Sequence, residues 1–158
     1  MLGRAVRYTQ GSPPFAGLRN AGTLTAMTKF VVDGGVVLQL AREGYEVPAQ
    51  HELFAPTLLR SQMLSDLHES VHRGDLPADE AFDLLSRAWA IKIRLLGDAV
   101  LRRNAWEIAE SQGWASTYDA EYLALTRLQG DAFVTLDDDL ARRAQGIVPT
   151  ASIDALRT

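Results

Sequence analysis

An α/β fold, with a short parallel sheet covered by helices on both faces, is predicted by three features of this 158-residue chain. Brief β-branched or apolar runs alternate with segments of helical apolar spacing from about residue 28 onward. Acids or prolines stand where the helices begin, and glycines where several of them stop. The chain is also large enough for one real core, with 47% apolar and 23% charged residues, but not for two full domains.

Phe30-Val31-Val32 is the first strand, and Asp33-Gly34-Gly35 ends it. Val36 to Arg42 fits a short helix. Leu53-Phe54-Ala55 is a second strand, after which Pro56 can open a helix, since its missing N–H costs nothing there. Leu59, Met63, Leu67 and Val71 recur every four residues along that helix until Gly74. Asp75-Leu76-Pro77 begins another, with Ala81, Leu84, Leu85 and Ala88 on one side. Ala90 to Leu96 alternates apolar and polar residues, as a strand with one wet face would. Asp98 suits the cap of a helix carrying Leu101, Ala105, Ile108 and Ala109. Gly113-Trp114-Ala115 reads as a minimal strand or turn. A helix then runs through Ala120, Leu123 and Arg127 to Gly130. Ala132 to Thr135 is a strand, Asp137 to Ala144 a short helix, and Ile147-Val148 a last short strand.

Residues 1–26 differ from this body. Four glycines and Ser12-Pro13-Pro14 interrupt them, and they show no periodicity, so a flexible extension is expected rather than an RNA-binding arm. Met27 opens a stretch that reads like a natural beginning, which makes 27–158 the folded domain. The chain has no cysteine, which removes disulfides, thiolate metal sites and a thiol nucleophile. Its longest apolar run, Phe30 to Leu40, is broken by Asp33 and Gln39 and is too short to cross a bilayer. A cytoplasmic location is expected. Residues 1–32 carry +4, so the remainder holds −8 of the net −4. Such an acidic body binds phosphate poorly by itself, unless divalent cations neutralise clustered carboxylates.

Three acids share one address. Asp33 follows the first strand, Asp119 lies in the first turn of the helix after Trp114, and Asp137 follows the strand ending at Thr135. In a parallel sheet the carboxyl ends of strands gather on one edge, where ligands bind. Each acid alone is explained by the helix dipole. Three together would repel unless a divalent cation sat among them, and so point to a metal site.

The segment Ser116-Thr117-Tyr118-Asp119-Ala120-Glu121-Tyr122-Leu123-Ala124-Leu125 resembles a characteristic helix of PIN-domain ribonucleases of the VapC toxin type. At that family's spacing, Phe133-Val134-Thr135-Leu136-Asp137 is similar to its strand end. Phe30 to Asp33 is similar to its opening strand, and Ala55-Pro56-Thr57-Leu58-Leu59 to its second-helix entry. The likeness spans about residues 28–156. It implies a three-layer α/β/α fold, with Asp33, Asp119 and Asp137 as metal-binding acids and Thr135 as the hydroxyl that positions the last of them. It also implies hydrolysis of RNA, of the tRNA or rRNA class, with Mg²⁺ or Mn²⁺, a homodimer, and inhibition by a small antitoxin.

Two positions depart from the pattern. The family's glutamate on the second helix is here Gln62, which brings no charge, and the usual hydroxyl residue two places after the first acid is Gly35. Gln62 opens a second possibility, a PIN-fold protein weakened as a catalyst that still engages an antitoxin or RNA. Asp66, four residues on, is a poor substitute. Arg60, Arg127 and Arg142 are candidates for phosphate contacts, though solvated helix faces explain each as well. Trp89, Trp106 and Trp114 suit core or dimer packing better than base stacking.

A rival motif is His68-Glu69-Ser70-Val71-His72, a literal H-E-x-x-H, whose two imidazoles at i and i+4 can share zinc in a metalloprotease. Charged neighbours, the immediate Gly74 and the lack of a convincing downstream third ligand argue against it.

Overall fold

The computed structural model describes residues 27–158. The extension expected over 1–26 lies outside the described residues. Five strands, β1 (Thr28–Val32), β2 (His51–Pro56), β3 (Ile93–Leu96), β4 (Ala132–Val134) and β5 (Thr150–Ala151), form one parallel sheet in the order β3-β2-β1-β4-β5. Six helices connect them: α1 (Gly34–Glu43), α2 (Leu59–His72), α3 (Ala78–Ala90), α4 (Ala99–Gln112), α5 (Tyr118–Gln129) and α6 (Asp138–Ala144). Helices α1, α2 and α3 pack on one another, and α4 packs on α5, giving the expected three layers.

The chain leaves β1 towards β2 and β3, then returns past β1 to β4 and β5. Strand order therefore reverses between β1 and β4, and that is where an open parallel sheet leaves a crevice at its carboxyl edge. Helix α5 builds the core beneath it. Ala120, Tyr122, Leu123, Ala124, Leu125 and Thr126 are all buried, because α5 lies between α4 and strands β1, β2 and β4. Its end comes so close to β1 that a Cβ on Gly130 would stand 2.9 Å from a Val31 methyl, and only glycine fits. Asp98 caps α4 as expected, accepting from the Leu101 N–H at 2.8 Å.

Three local expectations need correction, and one alternative is decided. Pro56 is the last residue of β2, not the first of a helix. Pairing of β1 with β2 has ended at Phe54, so only β3 is beside the proline, and Leu58 opens α2. Ala90 belongs to α3, and the strand begins at Ile93, although its wet residue, Arg94, is exposed as the alternation requires. Of the strand or turn expected at Gly113-Trp114-Ala115 the turn forms: Gly113 adopts φ +69 as the cap of α4, and the Trp114 N–H bonds back to Ala109. Ile147 and Val148 pack against the core while the last strand forms at Thr150–Ala151, after the turn at Gly146 with φ +83. Among the described residues no helix is long and apolar enough to cross a membrane.

Leu123 is fully buried on α5, whereas Leu136 is 46% exposed beside the crevice. Leu123→Ala should lower unfolding free energy by about 2–5 kcal/mol, and Leu136→Ala by under about 1 kcal/mol, in denaturant titrations followed by circular dichroism.

Candidate functional site

Register sets the first half of the site. Val32 of β1 pairs with Val134 of β4, so the next residues, Asp33 and Thr135, emerge side by side at the carboxyl edge. The Thr135 hydroxyl donates to the Asp33 carboxylate and accepts from the Asp137 N–H at 3.1 Å. One hydroxyl thus links both strand ends. Each acid also caps the helix that follows it. Asp33 accepts from the Val36 N–H at 3.1 Å, and Asp137 from the N–H groups of Asp139 and Leu140 at 2.9 and 3.0 Å.

Asp119 arrives on the first turn of α5. Its carboxylate is 2.8 Å from an Arg143 guanidinium nitrogen; Arg143 also bonds Asp139 at 2.9 Å and lies over the Trp114 ring, 4.8 Å from its centroid. Gln62 enters from α2, where its Oε1 accepts from the Tyr122 hydroxyl at 2.5 Å.

These groups feel one another. Burial pushes the Asp33 carboxyl above the ordinary carboxylate range, against the Thr135 and Val36 hydrogen bonds that favour its charge. The negative charges of Asp137 and Asp119 push it up further. The Tyr122 phenol is held well above its usual value, mainly by burial and then by the fields of Asp33, Asp66 and Asp119. Asp33, Thr135 and Asp137 are therefore joined by hydrogen bonds at the β1/β4 switch, and Asp119 lies close enough for its charge to act on Asp33.

A relative, "Ribonuclease VapC3" of Pyrobaculum aerophilum, is 30% identical over 131 residues, spanning 76% of this chain and 98% of its own length. This chain belongs to the VapC-type ribonuclease family. The crystal structure of PAE2754 from Pyrobaculum aerophilum shares the fold with a TM-score of 0.65 at 20% identity, covering 84% of this chain and 94% of the other. No family model matches the chain.

Membership in the VapC family makes the fit of a divalent ion the next question. Among the described residues, no three Asp, Glu, His or Cys side chains gather closely enough to hold one. One Asp119 oxygen is occupied by Arg143, the Gln62 oxygen by Tyr122, and both strand-end acids by capping bonds. As arranged, these residues share a field without forming a coordination sphere, and they do not fit the ion the family implies. Asp66 comes near the start of α1, with its Oδ2 3.8 Å from where a Gly34 Cβ would stand, but it is exposed. A hydroxyl residue at position 35 would have fitted, since a Cβ there meets only an Asp33 oxygen at 3.6 Å.

Several candidates fall elsewhere. His68 and His72 are exposed on α2, and Glu69 between them bonds Ser65 and faces Arg73, so the H-E-x-x-H array gains no third ligand. Arg60 and Arg127 lie on exposed helix faces, and Arg142 pairs with Asp139. Trp89 and Trp106 are 57% and 66% exposed, so neither packs in the core; only Trp114 is half-buried, beneath Arg143. A cavity of about 990 Å³ opens at the opposite edge of the sheet, lined by Tyr45, His51 and Arg87. Asp33, Asp119 and Asp137 do not border it.

Sequence reasoning missed Arg143 and Tyr122. Arg143 follows Asp139 by four residues, which reads as an ordinary exposed helix pair. Its reach to Asp119 exists only once α5 and α6 are packed.

Because the folded Asp33 binds its proton more readily than the unfolded chain does, its charge destabilises the fold at neutral pH, and that penalty fades as pH falls through the raised folded value. Asp33→Asn, which keeps a capping oxygen, should therefore raise stability at pH 7 and gain progressively less towards pH 4. Thermal melts of both proteins across that range check the sign.

Proposed function

We propose that this VapC-family protein acts mainly by binding, engaging a small antitoxin or RNA through these acids, with phosphodiester hydrolysis weakened. The observation that carries this reading is Gln62. Where the family pattern has a carboxylate, this chain presents an amide, and its oxygen is already held by the Tyr122 hydroxyl. An amide adds no negative charge to attract Mg²⁺ or Mn²⁺, and three acids in one field do not form a coordination sphere among the described residues.

A second reading is supported by the name of the relative and by the Thr135 link between Asp33 and Asp137. In it the protein is the cytoplasmic toxin of a type II toxin–antitoxin pair, a homodimeric Mg²⁺- or Mn²⁺-dependent endoribonuclease acting on tRNA or rRNA. Asp33, Asp119 and Asp137 would then carry the metal chemistry, with Thr135 and Gln62 supporting them.

The two readings separate on one substitution. With Mn²⁺ and a panel of structured RNAs, the wild type should cleave little, and Gln62→Glu should raise cleavage by on the order of 10-fold or more, the scale on which groups supporting a metal site act. Wild-type cleavage that Asp33→Asn abolishes and Gln62→Glu leaves unchanged would establish the nuclease and end the binding reading.

A further inference from the structure

Arg143 and its neighbour Arg142 stand side by side on α6, yet they differ in kind. Arg142 is 73% exposed and pairs within its own helix, with Asp139. Arg143 is 33% exposed and is fixed by three segments at once: Asp119 on α5, Asp139 on α6, and the Trp114 ring in the link from α4 to α5. A guanidinium bonded along one edge and stacked on an aromatic face has little freedom left, and its charge is permanent. Among the described residues, Asp119 is the one member of Asp33, Asp119 and Asp137 that takes part in an ion pair. This group of acids therefore already has a cation beside it, supplied by the chain itself.

That cation and a divalent ion exclude one another. The Asp119 oxygen that faces Arg143 at 2.8 Å cannot serve both at full strength, and a second positive charge beside the guanidinium is repelled. We propose that Arg143 is a built-in counter-ion, which holds Asp119 in an ion pair and so keeps the divalent-ion affinity of these acids low until it is displaced. The proposal rests on the reading of the acids as the functional site, and it turns the poor fit of a metal there into a property of one side chain. Trp114 is the positioning residue, because it supports the guanidinium in the plane that reaches Asp119.

The test is Mn²⁺ binding by the full chain without RNA, measured by calorimetry and by loss of the free-ion electron paramagnetic resonance signal. Arg143→Gln should bind Mn²⁺ at least about 10-fold more tightly than the wild type. Combining it with Asp119→Asn should cancel the gain, showing that the effect runs through that carboxylate. Arg142→Gln removes the same charge one residue away and should change affinity by less than about 3-fold. Should Arg143→Gln fail to fold, Trp114→Leu keeps an apolar support, removes the aromatic face, and should shift affinity in the same direction by a smaller factor. Equal Mn²⁺ affinity in the wild type and in whichever variant folds would overturn the proposal, as would an equal gain from Arg142→Gln. The readout needs no cleavage. Tighter Mn²⁺ binding by Arg143→Gln supports the counter-ion whether or not RNA is cut, while the Gln62→Glu assay alone decides between binding protein and nuclease.

Discussion

Carboxylates crowded onto one edge of a parallel sheet must be compensated, and the upper half of this molecule is arranged around that constraint. Asp33 and Asp137 come to the same edge because they follow the neighbouring parallel strands β1 and β4, between which the strand order reverses. Asp119 joins them because α5, half of whose residues are buried, runs beneath those strands. Three devices of different strength offset the resulting repulsion. Backbone N–H groups at the starts of α1 and α6 receive two of the carboxylates, the Thr135 hydroxyl bridges the strand ends, and Arg143 meets Asp119 directly. Burial works against all three, which is why the Asp33 carboxyl holds its proton more tightly than usual in spite of two hydrogen bonds to its charged form.

The fold was legible in the sequence because its cues are local and repeated. β-branched runs at Phe30–Val32 and Ala132–Val134, the Asp98 and Asp137 caps, and four-residue apolar spacing along α2 each name an element without help from the rest of the chain. Misjudged positions are those where a residue type serves two geometries. Pro56 suits a first helical turn, but it also suits a strand end whose neighbour on one side has stopped pairing. Ile147 and Val148 have strand-like side chains, yet the backbone pairs two residues later, because Gly146 sets the turn. Apolarity records which residues are buried more reliably than which N–H groups bond to a neighbouring strand.

The site was legible in part, and the boundary between the parts is physical. Acids at strand ends can be placed from sequence because connectivity alone brings them to one edge. What neutralises them cannot, since Arg143 lies 24 positions after Asp119 and looks like any solvated arginine of a helix end. The same holds for Tyr122, whose hydroxyl meets Gln62 across 60 positions. Both missed contacts are tertiary.

Gln62 and Arg143 act in the same direction. The glutamine removes a negative charge, and the arginine cancels another. With Arg143 on Asp119, Asp33 and Asp137 are the two of these three acids that have no ion-pair partner among the described residues. Less mutual repulsion favours the folded state. The consequence for chemistry is opposite. Attraction for a divalent cation grows with the negative charge assembled around it, so on the counter-ion proposal the arrangement that relieves repulsion among the acids also lowers their affinity for such an ion. Stability and metal affinity are thus opposed at one cluster of side chains, and positions 62 and 143 are where that opposition is set.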